Sequence, residues 1–150
     1  TGMNKILDTT VIFSAGFGTR MSPITKKIPK ALVNVGDKTL LDHTINLAKN
    51  GGIKKIIINT HYLSNQIEEH VKNYKDIKIN CEQPEILDTG GGLKEISPQI
   101  KTSPIFTSNV DCIWSGPNPF EFLRKGWCEE KMDSLLLLVP ITNSLGYSGK

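Results

Sequence analysis

Very little in this sequence could form a disulfide framework. Its three cysteines, Cys81, Cys112 and Cys128, make no Cys-x-x-Cys pair, and an odd count argues against full pairing. Arginine is nearly absent: 16 lysines and 2 arginines, Arg20 and Arg124, carry the positive charge, and the net charge is only +3. No basic block stands out, so a nucleic-acid footprint is not indicated. No stretch approaches the ~18 consecutive apolar residues of a membrane-spanning helix, and no charged leader precedes an apolar run. These absences lead us to expect a reduced, cytoplasmic protein with neither nucleic acid nor membrane as partner. Thr1 and Gly2 ahead of Met3 read as a cloning scar.

What is present is 150 residues, 38% of them hydrophobic and 22% charged. That suits a single globular domain, residues 1–150, which buries about two-thirds of the surface its unfolded chain exposes. Thr10-Val11-Ile12-Phe13 is a short apolar run that breaks at Ala15-Gly16-Phe17-Gly18, the pattern of a buried strand ending in a glycine turn. After a basic loop with Pro23, Pro29, Lys26, Lys27 and Lys30 comes a turn at Gly36-Asp37. Leu41, Ile45 and Ala48 then mark a helix that Asn50-Gly51-Gly52 stops. Lys55–Asn59 is a β-branched strand without polar alternation, as expected where both faces are covered. Leu63, Ile67, Val71 and Tyr74 predict an amphipathic helix with Ser64 as its cap. Ile77–Cys81 predicts a third strand, Gly90-Gly91-Gly92 opens a helix through Ile96, and Pro104–Asn109 predicts a fourth strand. Asn118-Pro119 caps a helix bearing Phe120, Leu123 and Trp127, and Leu135–Val139 reads as a last, strongly apolar strand. Alternation of strands and helices predicts an α/β domain with a mostly parallel sheet sandwiched by helices.

In such sheets ligands bind outside the carboxyl ends of the strands. After the first strand, Gly16 and Gly18 let backbone N–H groups approach a phosphate or base closely. The dinucleotide pattern Gly-x-Gly-x-x-Gly is broken by Met21, and the Gly-x-x-x-x-Gly-Lys-Ser/Thr phosphate loop is absent. Arg20 stands out instead, because a planar guanidinium suits bidentate phosphate recognition as lysine does not. Asp111 follows the fourth strand and is a hard oxygen ligand. Taken alone, it could equally be a turn carboxylate, and the glycines at 90–92 could be a plain loop. His61 is expected to pack behind the site, while His43 and His70 are expected to face solvent.

Ser14-Ala15-Gly16-x-Gly18-Thr19-Arg20-Met21-x-Pro23-x-Thr25-x-x-x-Pro29-Lys30 resembles the opening signature of the sugar-1-phosphate nucleotidyltransferases, with Ser14 where that family usually has alanine. Asn59–Ile67, Glu82 with Leu87-Asp88-Thr89-Gly90-Gly91-Gly92, and Asn109-Val110-Asp111 are similar to later segments of the same family. The wording around 87–92 and 111–114 is most similar to the small bacterial branch that includes N-acetylmuramate-1-phosphate uridylyltransferase, with mannose-1-phosphate guanylyltransferases close behind. The resemblance implies a Rossmann-like three-layer α/β/α fold of the nucleotide-diphospho-sugar transferase type. It implies Arg20, Lys30 and Asp111 as catalytic residues, with Asp111 holding Mg2+. It also implies nucleotide contacts from Ala15, Gly16, Gly18, Thr19, Glu82, Thr89, Gly90, Gly91 and Asn109.

The implied reaction moves a nucleoside monophosphate from UTP or GTP to a sugar-1-phosphate, as in cell-wall precursor synthesis. It asks the protein mainly for positioning and dispersal of negative charge. The family's domain continues beyond the point at which this chain stops. The expectation is therefore a chain lacking the C-terminal part, with impaired catalysis and an uncovered edge at Leu135–Val139 that invites self-association. A nucleotide-binding regulatory module that keeps the loop without the chemistry is the alternative reading, and a redox Rossmann protein is a distant third.

Overall fold

The computed structural model of the protein describes residues 7–101 and 103–146. Strand β1, Thr9–Ser14, lies in the interior of a four-stranded sheet, buried at all but one position. A loop of three short 3₁₀ turns leads to a hairpin of β2, Asn34–Val35, and β3, Lys38–Thr39, which turns at Gly36-Asp37. Helix α1, Leu40–Asn50, starts at Thr39, whose side chain accepts from the Asp42 amide while the Asp42 carboxylate accepts from the Thr39 amide. Thr-x-x-Asp ahead of an apolar helical stripe is the pattern of such a reciprocal cap, one not assigned from the sequence above.

Strand β4, Lys55–Thr60, helix α2, Ser64–Val71, strand β5, Ile77–Cys81, helix α3, Thr89–Ile96, strand β6, Phe106–Asn109, and helix α4, Pro119–Gly126, complete the regular elements. The sheet order is β5-β4-β1-β6, and every pairing in it is parallel. Alternate residues of each strand face opposite layers. Ile12, Ile56 and Ile58 join Leu41 and Ile45 of α1, Ile67 and Val71 of α2, and Phe120 of α4 in the larger core. On the other face Val11 and Ile57 pack with Ile96 of α3. The three-layer α/β/α expectation holds, and the sheet is parallel as expected.

Several local expectations change. The cap of α2 is Leu63 in the left-handed region, φ 53°, and Ser64 is the first helical residue. The Ser64 hydroxyl instead bonds Thr60 Oγ1 at 2.7 Å and donates to Glu68 Oε1 at 2.8 Å. The helix ends at Val71, so Tyr74 lies beyond it. Asn118 caps α4 by accepting from the Phe120 amide at 3.0 Å, and it donates to the Leu47 carbonyl at the end of α1 at 2.8 Å. Trp127 ends α4 rather than riding on it, with its buried indole N–H unpartnered among the described residues.

The largest correction concerns Leu135–Val139, which is irregular chain, not a strand. A strand persists only where its backbone groups find a ladder. Among the described residues the segment pairs with no strand, and residues 104–109 and 133–137 line a common cavity of about 560 Å³. Leu136 and Leu138 are consequently 78% and 82% exposed.

Candidate functional site

The sheet order creates a single place where the chain reverses direction. From β1 it moves outward to β4 and β5, and then α3, on the opposite face, carries it back to β6 on the other side of β1. Loops leaving the carboxyl ends of β1 and β6 therefore diverge and leave a crevice between them. Parallel register brings Phe13 level with Asn109 and Ser14 level with Thr60 and Cys81. Ala15, His61, Glu82 and Val110 are thus the first residues beyond that edge.

The loop after β1 is shaped by its glycines. Gly18 adopts φ 63°, and a Cβ there would lie 3.0 Å from both Lys30 Cβ and Thr25 Cγ2. Buried Thr25 donates its hydroxyl to the Gly18 carbonyl at 2.8 Å. Gly16 is different: a Cβ on it would meet nothing within 4 Å, so its backbone faces open space. Thr19 and Arg20 sit on an exposed 3₁₀ turn directly after Gly18.

Residues after β4 hold the same loop from outside. Tyr62 donates its hydroxyl to the Lys26 carbonyl at 3.2 Å, and Gln66 on α2 donates to the Lys27 carbonyl at 3.0 Å. Phe17, half-exposed between the two glycines, meets the edges of His61 and Tyr62 at 6.0 and 5.2 Å between ring centroids. Sequence reasoning singled out neither Tyr62 nor Gln66 as a loop tether, because a tether through a backbone carbonyl leaves no mark on the carbonyl's residue type.

At the mouth of the crevice, Lys30 Nζ donates to Asp111 Oδ2 at 2.6 Å, joining residues 81 positions apart. Their side chains are 24% and 36% exposed. Burial alone would raise the Asp111 pKa, but it lies below its ordinary 3.8. The Lys30 hydrogen bond and charge, a backbone hydrogen bond and the Arg20 charge outweigh burial. Arg20, Lys30 and Asp111 thus share one electrostatic neighbourhood. Burial, then the Asp111 charge, push the adjoining Cys112 thiol upward against the pull of Lys30.

Glu82 is placed differently from the other residues the sequence singles out. It is fully buried, accepts from the Asn59 side-chain amide, and takes the Leu87 backbone amide on Oε2 at 2.7 Å. A Cβ on Gly92 would come within 2.5 Å of Asn59 Nδ2 and Glu82 Oε1. Its carboxylate therefore faces protein, not open space, and acts by fixing the backbone that leads into α3. His61 packs behind the loop as expected, its Nδ1 2.8 Å from the Glu82 carbonyl. Thr89, Gly90 and Asn109 are exposed at the carboxyl edge, Gly91 partly so. Of the other two histidines His70 is exposed as expected, with Nε2 2.8 Å from Asp42 Oδ1, whereas His43 is only partly exposed, with Nε2 2.9 Å from the Val35 carbonyl.

Among the described residues no group of three or more His, Cys, Asp or Glu could cage a metal. Asp111 offers a single carboxylate with a cationic ammonium already seated at Oδ2. Magnesium binds through one or two carboxylates plus substrate phosphates more readily than in all-protein cages. The donor set therefore fits a divalent cation that brings phosphate and water ligands with it.

The chain is similar to known proteins in sequence and in fold. Relatives include the N-acetylmuramate alpha-1-phosphate uridylyltransferase of Caulobacter vibrioides, 32% identical over 97% of this chain and 63% of its own. The mannose-1-phosphate guanyltransferase of Saccharomyces cerevisiae is 33% identical over 71% of this chain and 31% of its own. The chain thus spans less than two-thirds of the length of these relatives. A crystal structure of UDP-glucose pyrophosphorylase complexed with UDP-glucose shares the fold, with a TM-score of 0.65 and 21% identity over 80% of this chain and 53% of that one. Residues 9–115, which carry β1 with its glycine loop, β6 and Asp111, match the nucleotidyl transferase family, and the chain belongs to that family.

Proposed function

We propose that the protein transfers a nucleoside monophosphate from UTP or GTP to a sugar-1-phosphate, giving a nucleotide sugar and pyrophosphate. The observation that carries this reading is the convergence of Arg20, Lys30 and Asp111 beside the glycine loop, where β1 and β6 part. The names of the two relatives supply the substrate class: one is a uridylyltransferase of a muramic acid phosphate, the other a guanylyltransferase of a hexose phosphate.

The sugar phosphate oxygen attacks the α-phosphorus in line. A new P–O bond forms there as the bond to the bridging oxygen of the β-phosphate breaks, and pyrophosphate leaves with that electron pair. The nucleophile is already ionised at neutral pH, so no general base is needed. Two anions must be brought together, and catalysis consists of reducing their repulsion and aligning them. Gly16 leaves room for phosphate oxygens against backbone N–H groups, and Gly18, packed against Lys30 and Thr25, sets the left-handed bend that presents the loop, with Ala15 and Thr19 on either side. Arg20 spreads its charge over the outgoing phosphates. Lys30 turns to the α-phosphate, and Thr89, Gly90, Gly91 and Asn109 line the nucleotide, with Glu82 holding their approach from below. A magnesium ion at Asp111, when bound, supplies further neutralisation of the triphosphate.

The test is pyrophosphate release from UTP and GTP, each with N-acetylmuramate 1-phosphate and mannose 1-phosphate. Magnesium-dependent release that Asp111→Ala abolishes supports the reading. Triphosphate binding without release by any pair favours a binding module instead.

A further inference from the structure

Lys30 and Asp111 form the only ion pair among the described residues that joins the loop after β1 to the end of β6. Its geometry is tight: a 2.6 Å contact on Oδ2 is at the short end for a charge-assisted bond. The other oxygen, Oδ1, has the Cys112 thiol 4.0 Å away. The base of Lys30 is fixed, because its Cβ lies against Gly18 and it opens a 3₁₀ turn with buried Ala31, while the rest of its partly exposed side chain can swing. The carboxylate is therefore furnished with a resident cation by the fold itself.

Resting on the proposed nucleotidyl transfer, we infer that Lys30 is a built-in placeholder that keeps a divalent cation off Asp111 until a triphosphate arrives. The ammonium and a divalent cation compete for the same oxygen, and a cation approaching Oδ2 meets repulsion from Lys30 at contact distance and from Arg20 behind it. A triphosphate reverses the balance by offering both lysine and arginine better partners, which frees the carboxylate. Cation and nucleotide binding are then positively coupled through one side chain, and coupling of this kind is reciprocal. The protein would not hold a bare metal ion in an empty crevice.

The experiment is a Mn2+ titration of the nucleotide-free protein, followed by electron paramagnetic resonance, for wild type, Lys30→Met, Lys30→Arg, and Lys30→Met combined with Asp111→Asn. Lys30→Met should bind Mn2+ up to about fivefold more tightly than wild type, since an exposed pair of this kind contributes up to ~1 kcal/mol. Lys30→Arg should stay as weak as wild type, and the double variant should lose the gain. Thermal melts of all four proteins check that each is folded. In wild type, the 15N signal of the Lys30 ammonium should shift when Mg2+ and UTP or GTP are added together, and not with Mg2+ alone. Equal or weaker Mn2+ affinity in Lys30→Met, or a lysine signal that moves with Mg2+ alone, overturns the placeholder while leaving the transfer reaction standing. Loss of the transfer reading has a separate signature: wild-type protein that binds UTP or GTP yet releases no pyrophosphate with either sugar phosphate.

Discussion

Asn59 of β4 donates its side-chain amide to Glu82, the residue that follows β5, in the space directly beneath Gly92 of α3. A methyl group at 92 would sit 2.5 Å from both partners, whereas one at Gly90 would meet nothing within 4 Å. The run of three glycines is thus two different requirements. Gly92→Ala should destabilise the fold by about 1–3 kcal/mol through overpacking. Gly90→Ala should be neutral or stabilising by up to ~1 kcal/mol, because alanine is the better helix former. Urea midpoints of the two variants decide it, and equal midpoints would remove the distinction.

A similar contrast separates the glycines of the first loop. Gly18→Ala places a Cβ 3.0 Å from Lys30 and Thr25 at a positive φ. The backbone alone costs roughly 1–2 kcal/mol in that region, and the clash moves Lys30 as well. Gly16→Ala has free space around it, so its stability should stay within about 0.5 kcal/mol of wild type. If Gly16 is where phosphate oxygens meet the backbone, Gly16→Ala nevertheless loses UTP or GTP binding. Calorimetric titration and thermal melting of one variant therefore separate function from folding.

How much of this was legible in the sequence depends on the range of the interaction. The strand and helix alternation follows from local apolar pattern, and Ile56-Ile57-Ile58 told of two covered faces because each residue carries that signal itself. The proximity of Lys30 to Asp111 across 81 positions came only through family resemblance, since nothing local in either segment encodes the other. Glu82 shows the limit from the other side. The family resemblance implied a nucleotide contact for it, but whether a carboxylate points at a ligand or at Asn59 is decided by packing. Leu135–Val139 failed for a related reason: five apolar residues specify readiness to be a strand, while the partner that makes them one lies elsewhere.

Asp42 links two helices, taking part in the cap of α1 and bonding His70 of α2. Burial raises its pKa, but the hydrogen bonds from His70 and Thr39 and the His70 charge bring it below the ordinary 3.8. A depressed folded value means the contribution is present above 3.8 and is lost as pH falls through the lower folded pKa. Asp42→Asn keeps an acceptor for Thr39 but removes the charge. The variant should be less stable than wild type near about pH 5, with the two stability curves converging as the solution is acidified. Parallel curves from urea unfolding down to acid would show that this carboxylate carries none of the acid limb.

Tyr62 and Gln66 fasten the basic loop through the carbonyls of Lys26 and Lys27. Neither side chain is within the proposed reaction centre, so their loss should loosen Lys30 without removing any charge. Tyr62→Phe combined with Gln66→Ala should raise the KM for the triphosphate severalfold with a smaller change in kcat, since each exposed hydrogen bond contributes about 0.5–1.5 kcal/mol. An unchanged KM would mean that the loop holds its shape through Thr25 and Gly18 alone.

Beyond α4 the chain presents Leu136, Leu138, Val139, Ile141 and Leu145 at 44% exposure or more, Leu136 lines a cavity together with residues of β6, and β6 pairs on one side only among the described residues. Exposed apolar side chains and unpaired strand backbone both favour association between copies. Leu136→Ser with Leu138→Ser removes apolar surface without touching the core, because both side chains already lie mostly in water. The fold should therefore keep its thermal stability to within about 0.5 kcal/mol, while sedimentation velocity should show a shift toward monomer at a given concentration. A wild-type protein that sediments as a monomer at all concentrations would rule out this edge as a point of self-association. An association that survives the double substitution would transfer the contact to the backbone of β6 itself, where Thr107→Pro, which cannot donate to a new ladder, becomes the discriminating change.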